Sequence, residues 1–89
     1  MKLYETINEG NWIKHQAHTR DFSRHCLIGH AGMVYGLCAE EFEVLDRTAC
    51  LLYPERTKAH YALRAAANFN DHPDTTIEDV LRVCKVADV

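Results

Sequence analysis

Eight consecutive residues, Phe69-Asn70-Asp71-His72-Pro73-Asp74-Thr75-Thr76, stop one apolar pattern of helical spacing and open another. They constrain the architecture more than any other stretch. Asn and Asp side chains imitate backbone groups in turns, and Pro73 fixes one torsion ahead of the threonines. Thr75 and Glu78 stand at capping-box spacing, in which the hydroxyl accepts from the N3 amide and the carboxylate reaches back to the cap amide. Ile77, Val80, Leu81 and Cys84 then recur with helical period. The same carboxylates invite a cation-loop or acid/base reading, but the glycine and terminal glutamate of an EF-hand are absent. Asn70, Asp71, Thr75 and Glu78 therefore read as a structural loop and cap.

The rest of the chain repeats this alternation of apolar stripe and punctuation. Leu3 and Ile7 allow about two helical turns before Asn8-Glu9-Gly10-Asn11 ends them. Trp12 to Thr19 alternates weakly and reads as a connector with a short extended segment near residues 12–18. Asp21 or Ser23 is placed to cap a second helix with an apolar face of Leu27, Ala31 and Val34, flanked by Cys26, Ile28 and Met33. Gly29 and Gly32 in that helix imply close approach of another backbone, and Gly36 suits the left-handed position past its end. A third stripe, Phe42, Leu45, Ala49 and Leu52, follows an acidic first turn of Glu40, Glu41 and Glu43 and stops at Pro54. Ala62, Ala65, Ala66 and Phe69 give a fourth helix a small-residue face. The expected fold is mainly α: residues 1–89 as a single domain, a compact cluster of four to five short helices joined by short connections.

A chain of 89 residues has a thin core. Such a core seldom supplies more than about 3–5 kcal/mol, so burial against a partner or a second copy would reinforce it. With 47% apolar and 26% charged residues the composition is that of an ordered globular protein. No apolar run approaches a bilayer span, and Met-Lys-Leu-Tyr-Glu-Thr lacks the apolar core of a signal peptide, so a cytoplasmic protein is expected. In that compartment Cys26, Cys38, Cys50 and Cys84 are expected as free buried thiols. The formal net charge of −3 divides into +1 over residues 1–36 and −4 over residues 37–89. It provides no general attraction for nucleic acid or an anionic membrane.

Trp12, Cys26-Leu27-Ile28-Gly29-His30, Phe69-Asn70-Asp71, and Thr75 or Thr76 followed by Asp79-Val80 occur in an order that resembles a small uncharacterised domain family of actinobacteria and their phages. In that family a Trp-containing segment precedes a Cys-x-x-Gly-Ala helix, an aromatic-Asn-Asp loop and a final helix opened by Thr. This chain departs at His30, where Ala is usual. The resemblance spans most of the sequence and implies a mainly helical fold, no known activity, and a phage origin with binding to a host protein as the expected role.

Three sets of residues carry possible chemistry. Cys26 and His30 stand at i, i+4, where a thiolate beside an imidazole would form an activated nucleophile, yet no motif supplies an orienting group or oxyanion hole. Zinc could draw on His15, His18, His25, Cys26, His30, Cys38 or His72, but a closed site needs four convergent ligands and no Cys-x-x-Cys occurs. Lys14, Arg20 and Arg24, with Trp12 and Phe22 beside them, form the basic stretch that a nucleic-acid regulator using residues 12–25 would need. No catalytic set, metal, cofactor or small-molecule substrate is assigned. The leading expectation is a protein-binding module whose partner is a host protein or a second copy, with Trp12, Tyr35, Tyr53 and Tyr61 as contact residues. Weak nucleic-acid binding is the alternative, and a small zinc- or thiol-dependent enzyme the third reading.

Overall fold

Leu45, Ala49, Phe69, Val80 and Val83 have no exposed surface, because the helices that carry them turn their apolar stripes toward one another. The computed structural model describes residues 1–58 and 64–89. Helices α1 (Leu27–Gly29), α2 (Ala39–Leu52), α3 (Ala65–Asp71) and α4 (Ile77–Ala87) follow in order, and α1 runs directly into a π-helical turn, His30–Tyr35. Helix α2 packs against both α3 and α4, and the 3₁₀ turn Leu3–Glu5 closes on α4. The mainly α expectation holds. Ala62 and Tyr61 lie outside the described residues.

Helix α2 follows its sequence pattern closely, with Leu45 and Ala49 buried and Phe42 and Leu52 packed partly against the core. Its N-terminus is closed by Cys38 and Glu41, the Glu41 carboxylate accepting from the Cys38 N–H at 3.0 Å. Asp46, on the same helix, accepts from the Ala66 N–H at 3.0 Å and pairs with Arg64 at 2.7 Å, so α2 caps the start of α3.

Four local expectations are corrected. The N-terminal segment forms only the 3₁₀ turn Leu3–Glu5 and a second, Glu9–Asn11, because the Asn8 and Asn11 side chains each accept from the other's backbone N–H and so compete with a helix. Helix α1 is capped by Cys26, whose Sγ accepts from the Gly29 N–H at 3.2 Å, since Asp21 and Ser23 are occupied in a separate turn. Val34, expected on the buried face with Leu27 and Ala31, is 54% exposed because the wider π turn rotates it off that line. Helix α4 is capped one residue later than expected, by Thr76 and Asp79 in place of Thr75 and Glu78. The Thr76 hydroxyl accepts from the Asp79 N–H, and Asp79 accepts from the Thr76 N–H at 3.1 Å. Thr75 is instead buried in the preceding turn, its N–H bonded to the His72 carbonyl.

Of the four cysteines, Cys26 and Cys84 are buried free thiols, whereas Cys38 and Cys50 are free and exposed. The latter pair corrects the expectation of burial: Cys38 precedes α2 at its cap, and Cys50 falls off the Leu45–Ala49 stripe. No helix among the described residues is long and apolar enough to cross a membrane.

Candidate functional site

The connector between residues 12 and 26 carries most of the chemistry-bearing side chains, and Asn70 holds it to the helices. Asn70 is fully buried. Its Oδ1 accepts from Trp12 Nε1 at 2.5 Å and from the Leu27 N–H at 3.0 Å, and its Nδ2 donates to the Ile13 carbonyl at 3.2 Å and to Asp71 at 3.0 Å. Asp71 in turn accepts from the His15 N–H at 2.8 Å, where His15 sits at a positive φ of 70°. Lys14 Nζ donates to the His72 carbonyl at 2.6 Å and lies 5.8 Å from the Trp12 ring centroid. Backbone bonds finish the attachment: the Ile13 N–H donates to the His25 carbonyl, the His25 N–H to the Asn11 carbonyl, and the Cys26 N–H to the Ala17 carbonyl. These contacts leave isolated bridges from Trp12 and His18 to His25, consistent with a briefly extended connector.

This network accounts physically for the Trp, Cys-x-x-Gly and Asn-Asp motifs. A Cβ on Gly29 would stand 2.2 Å from the Ala17 carbonyl oxygen, so only glycine lets the connector cross α1 at that point. The Asn-Asp pair is thus a latch, a stronger role than a turn. Burial of Asn70 is not signalled by its neighbours in sequence.

The Cys26–His30 pair does not assemble as a nucleophile and base. Burial pushes the Cys26 thiol above its ordinary 9.0, outweighing the N–H donated by Gly29. His30 is 1% exposed, and its Nε2 stands 2.9 Å from Thr6 Oγ1. Because the Thr6 hydroxyl gives its proton to the Leu3 carbonyl at 2.7 Å, His30 Nε2–H is the donor to Thr6, and Nδ1 keeps a lone pair. Nδ1 has no hydrogen-bond partner among the described residues. Burial, followed by the nearby His25, lowers the His30 pKa below 6.5 and keeps the ring neutral. His25 and His30 are 6.2 Å apart edge to face, but among the described residues no three His, Cys, Asp or Glu side chains converge as a metal site.

The aromatic residues expected at a protein interface have internal contacts. The Tyr35 hydroxyl bonds to the Met1 and Val89 carbonyls and joins the two ends of the chain. Tyr53 stacks on Phe69 at 5.0 Å, donates to Asp79 at 3.2 Å and lies under Arg56 at 4.7 Å. Trp12 is held by Asn70, and Tyr61 lies outside the described residues. Glu78, released from the expected cap, lines an open cleft of about 450 Å³ with Leu81, Arg82, Lys85 and Val86.

Part of the basic stretch, residues 19–24, is outward and forms a turn that the sequence did not indicate. Residues 19–24 fold back on themselves through Thr19 N–H to the Arg24 carbonyl at 2.9 Å and Phe22 N–H to the Thr19 carbonyl at 3.0 Å. Phe22 is 55% exposed with φ of 60°, stacked at 4.0 Å on His18. Arg20 and Arg24 flank it, both exposed and with no ion pair to any described residue. An aromatic between two arginines was visible in the sequence; its backbone sign and its exposure were not.

No curated protein and no solved structure matches the chain. A family model does match residues 3–88, nearly the full length described above, and the chain therefore belongs to DUF6197, a family of unknown function.

Proposed function

We propose that this domain works by protein–protein contact. The observation that supports it is the π-helical turn His30–Tyr35, which brings Met33 and Val34 to the surface side by side, 56% and 54% exposed. A π turn is uncommon in a helix and recurs at functional positions. Here it turns Val34 off the face on which helical spacing would have buried it, next to Met33 on the flank of that face. Covering them against a partner would contribute about 25 cal/mol for each Å² of apolar surface taken from water. The Cys26–His30 pair and the α4 carboxylate are, by contrast, engaged in holding the fold: Cys26 caps α1, His30 bonds Thr6, and Asp79 caps α4 while pairing with Arg56 at 2.8 Å.

A nucleic-acid contact through residues 12–25 has less support. Lys14 is bonded to backbone carbonyls and Trp12 to Asn70, which leaves Arg20 and Arg24. Neutralising about two phosphates gives weak binding that physiological salt largely removes.

Crosslinking followed by mass spectrometry, run on the wild-type chain and on Met33→Ser/Val34→Ser, tests the proposal. Crosslinks from this face to a host protein or a second copy are expected in the wild type and should vanish in the variant. A chain that sediments as a monomer and crosslinks to nothing in either form would sink the reading.

A further inference from the structure

We propose that the turn formed by residues 19–24 is a recognition element that seats Phe22 in an apolar socket rimmed by carboxylates on a partner protein. This rests on the protein-contact reading above and adds a contact point and the partner's chemistry. A bulky residue rarely adopts a positive φ, and one that does is an outlier that its surroundings must hold in place. Phe22 has φ of 60° and is more than half exposed, so the core gains little from its ring. The turn nevertheless fixes it firmly. Asp21 Oδ1 accepts from the Thr19 hydroxyl at 2.8 Å, the Ser23 hydroxyl at 2.7 Å and the Ser23 N–H at 3.1 Å. Those bonds hold the Asp21 carboxyl down to about 2, so it stays a charged acceptor throughout the ordinary pH range. The Thr19 hydroxyl also accepts from the Arg24 N–H at 3.2 Å, and the His18 ring supports Phe22 from one side. Glycine or asparagine would take this backbone conformation with less strain.

A large ring held in the open in this way is a pre-organised anchor, and little side-chain freedom remains to be lost when it binds. The charge beside it selects the partner. Arg20 and Arg24 have no ion pair among the described residues, while Asp21 is directed into its own turn. Complementary charge is therefore acidic, and the ring requires an apolar recess between the carboxylates. A protein surface provides both. Nucleic acid provides charge and a stacking face, but Trp12 and Lys14, which would extend such a site along a strand, are bonded internally.

The test pans the full chain against a library of random dodecapeptides, then titrates an enriched peptide into isotope-labelled protein followed by NMR. Enriched peptides should carry an apolar residue flanked by Asp or Glu and should shift the amides of residues 18–24. Binding should fall roughly tenfold or more in Phe22→Gly and in Arg20→Gln/Arg24→Gln, as for interface anchors. Phe22→Gly, which relaxes the backbone, should melt no lower than wild type. Peptides that map to Met33 and Val34 and bind the variants unchanged would overturn this inference and leave the protein-contact reading standing. Self-association abolished by Phe22→Gly would assign the turn to a second copy and likewise overturn it. Tight binding of a fluorescent oligothymidylate, lost in the double arginine variant, with no peptide enriched, would overturn both. A Phe22→Gly chain that melts lower yet binds peptide unchanged would make the ring a stability feature and end the proposal.

Discussion

Asn70 closes four hydrogen bonds with one side-chain amide, in a place without solvent to substitute for any of them. An Asn70→Ala substitution strands the Trp12 indole N–H and the Leu27 N–H together. Each buried donor left unpaired costs about 1–3 kcal/mol, so a combined loss of roughly 2–6 kcal/mol is expected. Trp12 is the only tryptophan and reports directly on this latch. Urea denaturation followed by its emission should show an earlier midpoint and a red-shifted native spectrum; an unchanged midpoint would remove Asn70 from its central role. Gly29 gives a second test. Gly29→Ala puts a methyl into the Ala17 carbonyl, whereas a Cβ on Gly32 meets the edge of the Phe42 ring at 3.3 Å, which can yield. The expected order of thermal stability is wild type and Gly32→Ala close together, with Gly29→Ala well below both. The need for close approach at Gly29 was readable from a glycine inside a helical pattern. Asn70 was not readable in the same way, because an Asn beside Asp and Pro has the composition of an exposed turn, and its principal partner, Trp12, lies 58 positions away.

Helices α2 and α4 were legible because their stability comes from stripes that the period of the sequence already displays. Ile77, Val80 and Cys84 are buried as their spacing requires, and Val83, which the stripe omitted, is buried beside them. Ends were less legible than middles. Two adjacent threonines compete for one cap, and the choice falls to the turn: the Thr75 N–H is bonded to His72, so Thr76 is the first residue free to face the N3 amide. Thr76→Ala should therefore cost about 0.5–2 kcal/mol through the lost cap. Its effect also reaches beyond α4, since Asp79 receives bonds from Arg56 and Tyr53 as well. A chemical denaturation midpoint that moves for Thr76→Ala checks this placement, and one that stays fixed would show the cap to be unimportant. The π turn after α1 could not be seen at all. Helical spacing assumes one residue every 100° or so, and the widening that exposes Val34 comes from how the turn closes, with the Gly36 and Leu37 N–H groups both donating to the Ala31 carbonyl at 2.8 Å. The outward face and the Phe22 turn both depend on backbone geometry of this kind, which explains why the candidate surface was harder to read than the fold.

Packing of this thin core around ionisable groups makes the stability of the domain depend on pH from both sides. His30 is buried as the neutral ring, and burial together with His25 lowers its pKa below the ordinary 6.5. An unfolded chain therefore takes up a proton at His30 before the native one does, so stability is present above pH 6.5 and is lost as pH falls toward the native value. Asp79 adds to the same limb at lower pH: burial alone would raise it, but the bonds from Arg56, Thr76 and Tyr53 prevail and hold it below 3.8. The opposite sign applies to Cys84. Burial pushes this thiol from 9.0 up to about 12, so above pH 9.0 the unfolded chain releases a proton that the native chain retains, and stability falls as pH rises through that interval. Cys26 shifts in the same direction by burial. The urea midpoint is expected to be flat between pH 6.5 and 9.0 and to decline on either side. His30→Gln keeps a donor for Thr6 and has no titrating group, so it should flatten the upper part of the acid limb while leaving the alkaline one. Cys84→Ala should lower the plateau by the cavity it opens and soften the alkaline decline. A wild-type midpoint that stays level well below pH 6.5 would mean that His30 is free to protonate in place, and that the core around Thr6 admits the charge.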